Sequence, residues 1–317
     1  MEVDYLLFLQ GLRDAAPDAV NQFFVLVSAL AVSPVPILLG ALLLWCVDKR
    51  FGYLVSASFV VGSSINQVIK SVACVYRPWI LDARIVPDAA AAPGATGYSF
   101  PSGHTAAATS VFGAIALGAK KHKAVVVLCI VFIALVAFSR NWLGCHMPKD
   151  VIVAVLVAVV GIAAVSGVIK LMDARPTWDI AVAAVVFVAG VAAMAYCMLK
   201  AYPVDYGADG QPLVDAFAMQ TDNYKNLGAF IAMPIAWIIE RRFIKFSVDG
   251  STKTRIIRGV IGAAIVGVLY VVALPAVLNM FLDDHWAHFV KYFILVFLVL
   301  DIYPALFTAF ERSLKNS

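Results

Sequence analysis

The sequence predicts an all-α, polytopic membrane protein, a helical bundle of about nine transmembrane helices. Three observations predict it. The 317 residues are 62% hydrophobic and only 14% charged, against roughly 45–50% and 25% in an ordinary globular chain. A water-soluble fold could not hide so much apolar surface, and a disordered chain needs the opposite balance. Nine stretches reach or approach the ~20 mostly apolar residues that a span requires. Finally, the basic residues alternate in step with those stretches. Because lipid offers no partner to an unpaired backbone group, the stretches are helices rather than open strands.

In order, the stretches are 20–47, 51–76, 105–119, 124–142, 151–171, 180–199, 227–243, 256–282 and 288–310. The third is long enough only if it starts at Ser102, and the seventh is the weakest, with Pro234 inside it. Fifteen of the 24 basic residues fall in one set of connections: Lys49 and Arg50; Lys120, Lys121 and Lys123; Lys170 and Arg175; the run from Arg241 to Arg258; Arg312 and Lys315. The alternate set is acidic: the N-terminal segment, then Asp205, Asp209, Asp215 and Asp222, then Asp283 and Asp284. Basic connections stay in the cytoplasm. The N-terminus and the loops 77–101 and 139–150 are therefore expected outside, the C-terminus in the cytoplasm, and the protein integral to the plasma (inner) membrane.

Residues Met1–Asp14 have apolar positions at helical spacing but are too short to span, so an interfacial helix is expected. Their acidic residues Glu2, Asp4 and Asp14, with Asp18 beyond, are the reverse of a basic leader, and no cleavable signal is expected. The segment 86–97, rich in Ala, Gly and Pro, reads as a mobile outer loop. Five cysteines scattered through apolar stretches do not form a disulfide framework. A net charge of +4 gives no reason to expect a nucleic-acid partner. No internal repeat and no soluble domain is visible.

Three clusters carry chemistry. Lys70 and Arg77 are seven residues apart, two helical turns, and so share one helix face, with Asn66 and Ser63 extending the stripe inward. Cations in a span are expensive and mark function, or they are snorkelling side chains at the boundary. Pro101-Ser102-Gly103-His104 opens the third span. A helix N-terminus offers free N–H groups and a positive dipole end to an anion, and His104 can carry a proton near neutral pH; an ordinary cap with a boundary histidine is the plainer reading. Ser139-Arg140, His146 and Asp150 lie at the end of the fourth span and the start of the fifth. His146 and Asp150 are four apart across a helix start, close enough for the carboxylate to orient one imidazole nitrogen and free the other for attack. A boundary ion pair is the alternative. Together the clusters supply three cations, two histidines and one carboxylate on one membrane face, which suits a phosphoryl group and its in-line displacement.

Lys-x6-Arg-Pro, Pro-Ser-Gly-His and Ser-Arg-x5-His-x3-Asp resemble the three-part signature of the type 2 phosphatidic acid phosphatase and vanadium haloperoxidase superfamily, with all eleven specified positions matched. The resemblance implies that His146 attacks phosphorus to give a phosphohistidine, that Asp150 fixes it, and that His104 protonates the leaving oxygen and later activates water. It implies that Lys70, Arg77 and Arg140 bind the non-bridging oxygens with Ser102 and the Gly103 amide, and that neither metal nor other cofactor is needed. The domains expected are an interfacial segment over 1–19, a phosphatase core over 20–200 formed by the first five to six helices, and additional C-terminal helices over 201–317. The nine-span plan with an outward N-terminus is similar to the glucose-6-phosphatase branch, whereas bacterial lipid phosphatases of the superfamily have six spans.

The expected function is hydrolysis of lipid phosphomonoesters or pyrophosphates (phosphatidate, phosphatidylglycerol phosphate or polyprenyl pyrophosphate) at the extracytoplasmic face. The partners expected are that substrate and the membrane lipids; oligomeric state is not legible. Trp79, Tyr98 and Phe100 suggest an aromatic rim at headgroup level. Alternatives are a sugar-phosphate phosphatase, or a transporter or scaffold with the same site. The soluble haloperoxidase branch does not fit so apolar a chain. Asp301, inside the ninth span, is either a snorkelling carboxylate or part of a relay. His285 and His288, beside Asp283 and Asp284, have ligand-like spacing, though an interfacial cluster without metal is the simpler reading. Cys74 and Cys145 border the site, and whether they pair is left open.

Overall fold

The computed structural model describes residues 1–207 and 210–316, with side chains through Ser313. Asp209 and the side chain of Lys315 lie outside the described residues. Among the described residues fourteen α-helices follow one another: α1 (Glu2–Ala15), α2 (Asp18–Leu30), α3 (Val35–Cys46), α4 (Lys49–Ala73), α5 (Pro78–Leu81), α6 (Gly103–Gly118), α7 (Lys123–Trp142), α8 (Pro148–Ala174), α9 (Asp179–Leu199), α10 (Ala216–Ile239), α11 (Thr252–Val268), α12 (Leu274–Leu278), α13 (Asp284–Phe297) and α14 (Tyr303–Asn316). π-Helical turns continue α10 (Glu240–Ile244), join α11 to α12 (Leu269–Ala273) and join α13 to α14 (Leu298–Ile302). Among the described residues there is no named strand, so the all-helical membrane bundle read from the sequence stands.

Each of the nine apolar stretches is helical, yet by length and composition six spans qualify, or seven if a bent pair is counted as one. The reasons are local. The first stretch breaks between α2 and α3 with a 49° bend, where Ser33, Pro34 and Pro36 interrupt the ladder of backbone hydrogen bonds. Helix α6 has 16 residues, short of a full crossing. Helix α10 is long enough, but its first half reads Gln220-Thr221-Asp222-Asn223-Tyr224-Lys225-Asn226, polar side chains with protein partners rather than lipid.

Helix α4 is the hub, packed against α3, α6, α8 and α10. It can approach α6 and α8 closely because small residues meet there. A Cβ at Gly62 would overlap the Ser110 hydroxyl, and Ala158 and Gly161 lie beside it, the small-residue contact expected between membrane helices. On the other side a core forms around Trp45, with Val266, Leu300, Tyr303 and Phe307. The Trp45 indole donates to the Val299 carbonyl at 2.8 Å, a carbonyl inside the π turn that follows α13.

Helix α1 buries Leu6 and Leu9 against Ile85, Met147, Leu143 and Cys145, while Phe8 and Leu12 stay exposed. The loop after α5 is tied down, contrary to the mobility its composition suggests. Arg13 Nη2 donates to the Val86 carbonyl at 2.8 Å, Val86 N donates to Gln10 Oε1 at 2.8 Å, and Asp88 N donates to Leu143 O at 3.0 Å. Asp301 does not snorkel: it sits in a π turn, 4% exposed, and neither carboxylate oxygen has a hydrogen-bond partner among the described residues.

Candidate active site

The C-terminal end of α4 and the N-terminal ends of α6 and α8 meet at one end of the bundle, and the end of α7 leads into the same place. Four elements from distant parts of the chain thus deliver the predicted side chains to one buried cluster. At its centre, His146 is 1% and Asp150 0% exposed by side chain. Residues 143–147 turn the chain from α7 into α8. The turn is fixed by Cys145 N and His146 N donating to the Arg140 carbonyl at 3.0 and 3.2 Å, and by Asn141 Nδ2 donating to the His146 carbonyl at 2.8 Å. Pro148 opens α8 with its fixed φ. Asp150, third in that helix, accepts from Met147 N at 3.0 Å, satisfying a helix-start donor.

The Asp150 carboxylate has a second task. Its Oδ2 lies 3.4 Å from His146 Nδ1 and accepts from Ser99 Oγ at 2.5 Å, while Ser99 Oγ lies 3.3 Å from the same imidazole nitrogen. Since Ser99 spends its proton on Asp150, its oxygen is free to accept one from Nδ1. That places the imidazole proton on Nδ1 and the lone pair on Nε2. Burial, reinforced by Arg77, Arg140 and Lys70, holds His146 well below the usual imidazole pKa, so the ring is neutral at physiological pH. The Nε2 lone pair faces Arg77 Nη1 at 2.9 Å.

The three cations differ in how they are engaged. Arg77 follows Cys74, whose left-handed backbone (φ 47°) ends α4. Its Nε donates to Gly97 O at 3.1 Å, Nη1 to Cys145 O at 3.1 Å as well as to His146, and Nη2 to Thr96 O at 2.7 Å. Four of its five N–H groups are therefore engaged. Lys70 Nζ donates to Tyr98 O at 3.0 Å. Arg140 is the exception. It is 2% exposed, Nη1 donates to Ser28 Oγ of α2 at 2.5 Å, and Nε and Nη2 have no partner among the described residues. A buried guanidinium with unmade hydrogen bonds is costly unless an anion completes it.

Ser102 holds the N-cap position of α6 without a capping bond from its side chain. Its Oγ accepts from Thr105 at 3.1 Å, and its N–H donates to the Asp150 carbonyl at 3.0 Å. Gly103 and His104 open α6, and burial, reinforced by the charges of Arg140, Arg77 and Lys70, holds the His104 ring below the usual imidazole pKa. Asn66 Nδ2 faces the Pro101 carbonyl at 3.5 Å. The structure thus gathers all eight predicted residues.

One expectation changes. Tyr98 is not on a rim: it is 1% exposed, with its ring against Tyr76 and its carbonyl on Lys70. Cys74 and Cys145 are both free thiols. Away from the site, His285 stacks on Tyr224 and faces the Phe217 carbonyl, and His288 bonds back to Asp284. Sequence reasoning also missed Ser99, Ser28 and the carbonyls of residues 96–98. Ser99 carried one signal, a small hydroxyl between Tyr98 and Phe100 three residues before Ser102; the carbonyls carry none.

These features define a class, helical membrane proteins with a cation-lined, buried cradle at one end of the bundle. Residues 51–172 match the PAP2 superfamily, and residues 224–315 match the PAP2 superfamily phosphatase transmembrane extension. The chain belongs to that superfamily, and the first match contains every position of the three motif blocks. An undecaprenyl-diphosphatase of Sulfolobus acidocaldarius is 32% identical over 111 residues, 35% of this chain and 52% of that protein. The match therefore spans about half of that relative. No solved structure matches the chain.

Proposed function

We propose that the protein is a metal-independent membrane phosphatase that hydrolyses a lipid phosphomonoester or diphosphate at the extracytoplasmic face through a phosphohistidine. The observation that carries this reading is Arg140, a buried guanidinium whose Nε and Nη2 groups await an acceptor beside a neutral, oriented imidazole. A phosphoryl group supplies that acceptor. Its oxygens take the free N–H groups of Arg140 and the Arg77 N–H that otherwise covers His146 Nε2. The uncovered Nε2 forms a bond to phosphorus as the bond to the lipid oxygen breaks, and His104, protonated once the phosphoryl charge offsets that of the three cations, gives that oxygen its proton. Water, deprotonated by His104, then displaces the imidazole and leaves inorganic phosphate. Charge spreading over the transferring oxygens is met by Arg140, Arg77, Lys70, Ser102 and the Gly103 amide, preorganised donors in a site that excludes bulk water. Side-chain cations stand where Mg²⁺ serves other phosphoryl-transfer sites.

A lipid fits better than a sugar phosphate. A sugar needs hydroxyl partners, and the polar side chains of the nearby loops are already engaged. Asp82 pairs with Arg84, Asp88 caps its own loop, Thr96 donates to Asp222, and Asn141 donates to the His146 carbonyl. The name of the Sulfolobus relative supports a polyprenyl diphosphate among the lipids.

The test is trapping with ³²P-labelled lipid phosphate on the purified protein in mixed micelles. His146 takes the label, His146→Ala abolishes label and turnover, and Asp150→Asn leaves a trace, because it removes orientation and not the attacking atom. Activity survives EDTA and falls with vanadate. Full turnover by the alanine variant would overturn the mechanism. A kcat/KM at least tenfold higher for glucose 6-phosphate than for lipid phosphates in the same detergent would overturn the lipid assignment alone.

A further inference from the structure

Residues Thr96, Gly97 and Tyr98 form a strap whose three successive carbonyls hold two of the three cations of the site: Thr96 O and Gly97 O accept from Arg77, and Tyr98 O accepts from Lys70. What fixes the strap comes largely from the C-terminal part of the chain. Thr96 Oγ1 donates to Asp222 Oδ2 on α10 at 2.7 Å, and the other oxygen of that carboxylate accepts from Lys225 Nζ at 3.2 Å. Gly97 lies at φ 59°, and a Cβ there would stand 2.8 Å from the buried side chain of Met219, also on α10. Tyr98 Oη donates to the Pro203 carbonyl at 3.4 Å. The same face of α10 is latched onto α4: Ser71 Oγ donates to Asn223 Oδ1 at 3.1 Å, and Ser64 Oγ to the Asn226 carbonyl at 3.0 Å. Met219, Asp222, Asn223 and Asn226 recur at helical spacing. The polar members of this stripe are the reason the first half of α10 is too polar to read as a span.

We propose that α10 is a working part of the site, with Asp222 and Met219 as positioning residues that hold the strap and, through its carbonyls, aim Arg77 and Lys70 at the bound phosphoryl group. Asp222 touches neither substrate nor reacting atoms. It acts through Thr96, and its negative charge offsets the repulsion between the two cations that the strap brings together. The C-terminal helices are in this account the wall against which the phosphate seat is set. The proposal rests on the phosphatase reading for its choice of ligand.

Vanadate affinity, KM and kcat are measured on the full-length protein and on Asp222→Ala, Thr96→Val, their double variant and Thr96→Ser. Each of the first two weakens vanadate about tenfold, the loss expected for one hydrogen bond to a charged group. KM rises more than kcat falls. The double variant is no worse than the poorer single, because both remove one contact, and Thr96→Ser, which keeps the hydroxyl, stays near wild type. Hydrogen exchange at residues 96–99 speeds up in both single variants while the α8 amides stay protected, which separates a loosened strap from general unfolding. Unchanged vanadate affinity in Thr96→Val, or losses that multiply in the double variant, would overturn the proposal. Wild-type protein that binds no vanadate would overturn the phosphatase reading instead. The exchange data would then decide the clamp, and unaltered exchange at residues 96–99 would overturn it.

Discussion

A guanidinium that is 2% exposed and bonded through one nitrogen costs folding free energy, and on the proposed reading a phosphoryl anion bound by Arg140 offsets that cost. Arg140→Met is accordingly expected to be as stable as wild type or up to about 3 kcal/mol more stable, as when buried ionic groups elsewhere give way to apolar ones, while losing catalysis. Vanadate should raise the Tm of the wild type by mass action and leave that of the variant unmoved. An equal vanadate shift in both would remove Arg140 from the phosphate seat. Ser99 is tested separately. Ser99→Ala takes away the 2.5 Å donor to Asp150 and a hydroxyl oxygen 3.3 Å from Nδ1, as near as the carboxylate at 3.4 Å. A fall in kcat of about tenfold with little change in KM is expected, since ~1.4 kcal/mol of orientation, a typical hydrogen bond, is a factor of ten; wild-type kcat would show that Asp150 orients the ring alone. The motif residues were legible because ionisable side chains at fixed spacings are rare in apolar stretches. Their partners were not. A backbone carbonyl has no letter of its own, Ser28 lies 112 positions from Arg140, and the letters of Tyr98 do not say whether a loop aromatic turns in or out.

Among the elements, helices were legible wherever an apolar run was long, since lipid leaves the backbone no other ladder. The bend at residues 31–34 and the polar half of α10 were not, because a hydropathy pattern records how apolar a stretch is and not whether its polar side chains find protein partners. The π turns were equally invisible, and one of them carries Glu240 into the bundle end opposite the site. Glu240 is 1% exposed, accepting from Lys49 Nζ at 2.5 Å and from Tyr53 Oη at 2.8 Å. Truncating one member of a buried pair strands the other. Lys49→Met should therefore lower stability by about 3 kcal/mol, the low end of the usual range because the Lys49 side chain is about a third exposed. Adding Glu240→Leu should recover most of the loss. Thermal unfolding of the full chain in detergent reads both changes. A single variant as stable as wild type would show that water, not Lys49, carries the Glu240 charge.

At the scale of the whole molecule, the two ends of the bundle differ in how their charges are used. Helix α4 alone is about 37 Å long at 1.5 Å per residue, with Lys49 and Arg50 at its start and Lys70 near its end. At the start, basic residues meet acids: Arg50 with Asp173, Arg241 and Arg242 with Asp179, Arg258 with Glu311. Lys120, Lys121 and Lys123, between α6 and α7, lie at this same end and stay exposed. At the other end, Lys70, Arg77 and Arg140 are buried, and the proposed function gives them a phosphoryl group to bind. Orientation follows the count of lysine and arginine near span ends, with little influence from acids, so ion pairing does not weaken the signal. The paired end is expected in the cytoplasm and the phosphate cradle outside, open to lipid arriving by lateral diffusion in the outer leaflet. Single cysteines introduced into a cysteine-free background test this with a membrane-impermeant maleimide on intact cells. A cysteine at Asp284, at the start of α13, should label. Cysteines at Lys121 and Lys253 should label only after the membrane is breached. Labelling at Lys121 from outside would turn the molecule over and put hydrolysis on the cytoplasmic face, with the chemistry at His146 untouched.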